Sequence, residues 1–145
     1  MNIVPMSDRH ISQVALLERE CFSEPWSEDG LRAELTKDEA RFFVCECDGE
    51  AAGYMGMHFI LDEFYITNVA VCPAFRRKGI GEALVSHCIK KAADEGCAFI
   101  SLEVRVSNAS AIALYEKTGF ASVGERKNFY SRPTENALIM TKELR

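Results

Sequence analysis

Three consecutive cations, Arg76, Arg77 and Lys78, stand before Gly79-Ile80-Gly81 at the point where an apolar helical stripe begins. A helix start already carries free N–H groups and the positive end of the macrodipole, so cations there oppose the helix unless an anion joins them. Glycines keep side chains away and let backbone N–H groups approach phosphate oxygens directly. The segment Cys72–Gly81 is therefore a candidate anion site, the bland alternative being a solvated basic turn. Two familiar phosphate motifs do not fit it. A P-loop needs GxxxxGK followed by Ser or Thr, whereas Lys78 precedes its glycine. The dinucleotide fingerprint starts at Gly79-Ile80-Gly81, but Leu84 holds its third glycine position and the acid roughly 20 residues on, Glu103, falls inside a strand.

The elements around this loop follow from hydrophobic period. Ile3 to Met6 reads as a short strand, and Ser7 or Asp8 caps a helix with Ile11, Val14, Ala15, Leu17 and Cys21 at helical spacing. Pro25-Trp26-Ser27 breaks that helix and caps a shorter one at Leu31 and Leu35. Asp48-Gly49 and Leu61-Asp62-Glu63 divide the next stretch into strands at 41–47, 50–60 and 64–71, an antiparallel meander. A helix over 80–95 ends at Gly96, and Ala98 to Val106 alternates as a strand with Ser101, Glu103 and Arg105 on its polar face. Ser107-Asn108 caps a further helix that stops at Gly119. Phe120–Gly124 and Ala137–Leu144 read as a final hairpin around a polar, aromatic loop.

Composition bounds the function. The 145 residues are 48% hydrophobic and 27% charged, which fits one domain over 1–145 with a core that needs no staple. A net charge of −5 argues against direct nucleic-acid binding through a cationic surface. The average hides an asymmetry: residues 1–72 carry 5 basic and 14 acidic side chains, residues 73–145 carry 12 and 8. Six cysteines without a CxxC pair and three scattered histidines point away from a metal site. The absence of a signal peptide or membrane-length apolar run leads to the expectation of a cytoplasmic setting.

The loop matches the acyl-coenzyme A signature Arg/Gln-x-x-Gly-x-Gly/Ala. At Arg76, Lys78, Gly79 and Gly81 the sequence resembles the GNAT superfamily of N-acetyltransferases. Pro25-Trp26-Ser27, Asn68–Val71, Leu102–Arg105 with Ser107-Asn108, Ala111–Glu116 with Gly119-Phe120, and Glu135–Met140 extend the likeness to the RimI-type ribosomal-protein alanine N-acetyltransferases. Arg76 stands where that subfamily often has Gln, Phe129 where it usually has Tyr, and Asn136 where Asp is expected. The resemblance implies an α/β fold with a mixed sheet, the meander being followed by a β-α-β crossover and helices lying on both faces. It implies that acetyl-coenzyme A lies between strands 64–71 and 98–106, which part at a bulge in the first. Val69, Ala70 and Val71 would hold it by their backbone, with Arg76 to Gly81, Ile80 included, at its phosphates and Asn108 reaching it from the next helix start. Asn108 serves equally well as a plain N-cap.

The same resemblance makes Glu103 the base for an incoming amine and Tyr115 the acid for the departing thiolate. On the residues alone, Glu103 is a surface partner for Arg105, and Tyr115 belongs to a core stripe with Ala111, Leu114 and Thr118. Tyr130 and the Trp26 region would flank the entry of a protein N-terminus, that of a small-subunit ribosomal protein beginning with Ala, and the enzyme would act as a monomer. A small-molecule amine or lysine acceptor, and a non-catalytic acyl-coenzyme A sensor, are the competing readings.

Overall fold

Asp48 and Gly49 both adopt left-handed backbone, with φ of 52° and 79°, the geometry of a two-residue type I′ hairpin turn. The computed structural model describes residues 1–145 and shows what this turn joins. Strands β1 (Asn2–Pro5), β2 (Ala40–Cys47), β3 (Glu50–Ile60) and β4 (Glu63–Val71) pair antiparallel in that order. Helices α1 (Ile11–Cys21) and α2 (Glu28–Glu34) lie between β1 and β2 in the chain. Helix α3 (Ile80–Asp94) carries the chain from β4 to β5 (Phe99–Arg105), which runs parallel to β4. Then come α4 (Ala109–Lys117), β6 (Ala121–Tyr130) and β7 (Glu135–Glu143). The seven strands form one mixed sheet in the order β1-β2-β3-β4-β5-β7-β6, the expected meander followed by a crossover.

Alternation within β2 divides the core between the two faces. Phe43 and Cys45 join Met55, Leu84, Cys88 and other residues on the α3 side. Phe42 and Val44 join Val14, Leu17 and Leu31 on the side of α1 and α2. Helices therefore cover both faces. Their ends follow local chemistry: the Ser27 hydroxyl accepts from the Gly30 N–H at 3.0 Å, and the Asn108 side chain accepts from the Ala111 N–H at 3.2 Å. No helix is long and apolar enough to cross a membrane.

The final hairpin differs from expectation. β6 continues to Tyr130 and leaves only residues 131–134 as the connection, where a loop was expected from 125 to 136. Register shifts between Ser122 and Gly124 and between Arg126 and Tyr130 explain this, because each bulge interrupts the period-2 pattern by which a strand is read.

One irregularity organises the rest. β4 and β5 pair only over Glu63–Ile66 and Phe99–Leu102. Immediately beyond, Gly56 faces Asn68 while Met57 faces Ile66, so Thr67 is an extra, bulged residue on β4. From there β4 stays with β3 as far as Val71, and β5 stays with β7 as far as Arg105. The two strands separate, and the β4 backbone beyond Thr67 has no strand beside it on that edge.

Candidate active site

A cavity of about 630 Å³ occupies the gap between the parted strands, within the usual range for small-ligand sites. Val69 lines it from β4, Glu103 from β5, Asn108, Leu114 and Tyr115 from the last helix, Trp26 from the α1–α2 connection, and Phe129 and Tyr130 from β6. Residues expected from distant parts of the chain thus share one space. Ala70, Val71 and the basic loop Arg76–Gly81 are not among the residues that line it. Arg77 (φ 64°) and Gly79 (φ 78°) are left-handed and Lys78 is not. Gly79 is the residue that leads into α3, whose free N–H groups and dipole favour an anion.

The individual contacts separate side chains that can meet a ligand from those that cannot. Arg76, Arg77 and Lys78 are exposed. Arg76 donates from Nε to the Val71 carbonyl at 3.2 Å, which ties the loop to the end of β4. Lys78 Nζ lies 5.4 Å from the centre of the Phe75 ring. Ile80 is only 2% exposed and its side chain belongs to the core, so only its backbone is left for an anion. At Gly81 a Cβ would come within 3.2 Å of Leu114, so the glycine permits the close approach of α3 and α4.

Glu103 does not pair with Arg105. Arg105 is engaged by Glu135 at 3.1 Å and by the carbonyls of Ser131 and Pro133, and it lies over the Tyr130 ring at 4.5 Å. Glu103 instead meets Arg126, with Nε 3.6 Å from Oε2; the Glu103 side chain is 5% exposed and that of Arg126 57%. Burial pushes the Glu103 carboxyl above its ordinary value, and the Arg126 guanidinium opposes that rise. Burial likewise raises the Tyr115 phenol, followed in effect by Cys88 and Tyr130. Tyr115 packs edge-on against Phe120 with ring centres 5.6 Å apart. The Tyr130 phenol is pushed up to about 12, by burial first and then by the charge of Glu103.

A second carboxylate lines the cavity, and the sequence reading did not select it. Glu18 on α1 is 1% exposed; it accepts from the Tyr54 hydroxyl at 2.5 Å and from the Trp26 N–H at 3.0 Å. With its amide oxygen turned toward the indole, Asn68 accepts from Trp26 Nε1 at 3.1 Å, and its NH2 donates to Thr67. Trp26 is therefore held at both its backbone and its ring. The available signal was Glu18 itself, a charged residue four positions after Val14 within the apolar stripe of α1.

Residues 11–120 match the acetyltransferase (GNAT) family. The chain is 38% identical over 128 residues to a ribosomal protein bS18-alanine N-acetyltransferase of Escherichia coli, covering 86% of this chain and 84% of that protein. An N-alpha-acetyltransferase of Sulfurisphaera tokodaii is 34% identical over 123 residues, 76% of this chain and 73% of the other. Among solved structures, the ribosomal-protein-S18-alanine N-acetyltransferase from Escherichia coli superposes with a TM-score of 0.90 at 32% identity, over 99% of this chain and 93% of that one.

Proposed function

The chain belongs to the acetyltransferase (GNAT) family, and on that premise we propose that it acetylates the α-amine of a protein N-terminus, that of a small-subunit ribosomal protein beginning with Ala. Family membership implies an acyl-coenzyme A donor; the donor proposed is acetyl-coenzyme A. The observation that carries the reading is the cavity where β4 and β5 part, lined by a raised carboxyl, a raised phenol and an unpaired strand edge. The reading takes residues 1–145 as one domain that acts as a monomer.

The residues fit the donor. The basic loop and the α3 start suit its phosphates, Arg76 to Gly81 contributing charge and N–H groups. The Val69–Val71 segment would hold its amide-bearing arm by main-chain groups, and an N–H on the open edge of β4 would polarise the thioester carbonyl. Asn108 caps α4 and lines the same cavity, so both of its expected roles are compatible. Trp26 and Tyr130 both line the cavity, and an extended N-terminus would enter past them.

The acceptor amine has a reference pKa of about 8 and must shed a proton to attack. Glu103 takes that proton, directly or through one water, as the new C–N bond forms. Tyr115 remains protonated at neutral pH because burial raises its phenol. It delivers that proton to the sulfur as the C–S bond breaks, leaving an acetylated amine and a free thiol. The test offers acetyl-coenzyme A with an Ala-starting ribosomal peptide and, separately, with an N-blocked peptide containing lysine. Mass spectrometry should find acetyl only on the first; acetyl only on the second overturns the reading.

A further inference from the structure

We propose that Arg126 acts through Glu103, holding its carboxylate charged and aimed from outside the cavity, and so is a positioning residue for acetyl transfer. The inference rests on the reading of Glu103 as base given above. Glu103 lines the cavity; Arg126, on the far side of the carboxylate, does not. A base confined this way faces its substrate on one side and a half-solvated cation on the other.

The sheet explains how a residue two strands away gets there. β7 separates β5 from β6: Glu103 lies opposite Ile139, which lies opposite Gly124, while Arg105 and Arg126 flank Ala137. Residues directly opposite share a face, so Glu103 and Arg126 are on the same side of the sheet, offset by two positions. Two strand spacings amount to roughly 10 Å, a span that needs a long side chain meeting the carboxylate part way. The small Ala137, opposite Arg126 on β7, offers little obstruction to a side chain reaching across that strand.

Arg132 and Glu24 also line the cavity, but Arg126 is the only cation within ion-pair distance of the Glu103 carboxylate. Arg105 is neutralised by Glu135 and fixed by two carbonyls. Tyr130 faces Glu103 from the end of β6 as a protonated phenol. Tyr115 from α4, Thr67 and Asn68 from β4 and Ile139 from β7 bring no charge, and Glu18 from α1 is bound to Tyr54 and Trp26. Burial alone drives Glu103 toward its neutral form, in which it cannot accept a proton. Arg126 is the counterweight, and its exposed position leaves it free to adjust as the acceptor enters.

The test is a ¹³C-carboxyl NMR titration of Glu103, its signal identified by its loss in Glu103→Gln. Because Arg126 is partly solvated, Arg126→Gln should raise the midpoint by about 0.5 to 1 pH unit, and Arg126→Lys should restore it. In parallel, the ratio of kcat at pH 6 to kcat at pH 8.5 should fall about 3- to 10-fold in Arg126→Gln, with KM for acetyl-coenzyme A unchanged. An unmoved titration in Arg126→Gln, with Glu103→Gln inactive, overturns the role of Arg126. So does an activity loss equal at both pH values, which marks a purely structural contact. If Glu103→Gln keeps full turnover, the reading of Glu103 as base fails first, and the proposal falls with it.

Discussion

Two buried carboxylates line one cavity, Glu18 from α1 and Glu103 from β5, and they are furnished very differently. Glu18 accepts hydrogen bonds from a phenol and a backbone N–H, each at 3.0 Å or less. Glu103 has a single ionic contact at 3.6 Å, to a half-solvated arginine. The hydrogen bonds of Glu18 commit its oxygens to holding neighbours in place, whereas burial raises the Glu103 carboxyl and leaves it readier to take up a proton. Similar burial therefore serves two purposes: Glu18 fixes the Trp26 wall, and Glu103 keeps its capacity for chemistry.

The largest expected effect lies on the undersaturated side. Glu103→Gln should lower kcat by about 100-fold or more while acetyl-coenzyme A binding, followed by calorimetry, stays near the wild-type value. Glu18→Ala attacks the other side and should act on folding. It strands the Trp26 N–H and leaves the Tyr54 hydroxyl only the Asn68 amide oxygen, 3.1 Å away, and urea unfolding should register a loss of about 1 to 3 kcal/mol. If Glu18→Ala instead loses turnover to the degree of Glu103→Gln with an unchanged unfolding midpoint, the contrast between the walls is wrong.

Two smaller effects sharpen the contrast. Trp26→Ala removes what Glu18 holds, so KM for the Ala-starting peptide should rise about 5- to 10-fold with kcat largely kept. The last effect concerns pH. Because burial raises the folded-state carboxyl of Glu103, its ionisation penalises the fold. Below the unfolded-state value the group is protonated in both states and there is no penalty; as pH rises through the folded-state value, stability is lost. Glu103→Gln should thus be slightly more stable than wild type at pH 7, a gain that fades as pH falls through the raised folded-state value and is gone by about 4. Thermal melts across that range would read it, and a Gln variant less stable at pH 7 would show that the wild-type carboxylate is a net stabiliser.

Much of this was legible because the signals are local. The type I′ turn at Asp48-Gly49, the caps at Ser27 and Asn108 and the stripe of α3 are each written within a few residues. Glu103 and Tyr115 were legible through resemblance, since their own spacing also suited a surface pair and a core stripe. The partners of the two carboxylates were not. Glu18 meets Tyr54 across 36 positions, and Glu103 meets Arg126 across the bulges that hid the second half of β6. Nothing in a single sequence reports such register shifts, because the extra residue looks like a lapse in alternation.

The short parallel ladder at Glu63–Ile66 makes the sheet an incomplete object. Past Thr67 the main chain of β4 has one edge left to be satisfied, and a ligand with amide groups along its length can satisfy it as a strand does. Substrate binding then finishes the tertiary structure as well as loading a reagent. A ligand present at 100 times its Kd adds about 2.7 kcal/mol to folding stability, so protection of the β4 amides from solvent exchange should follow donor concentration.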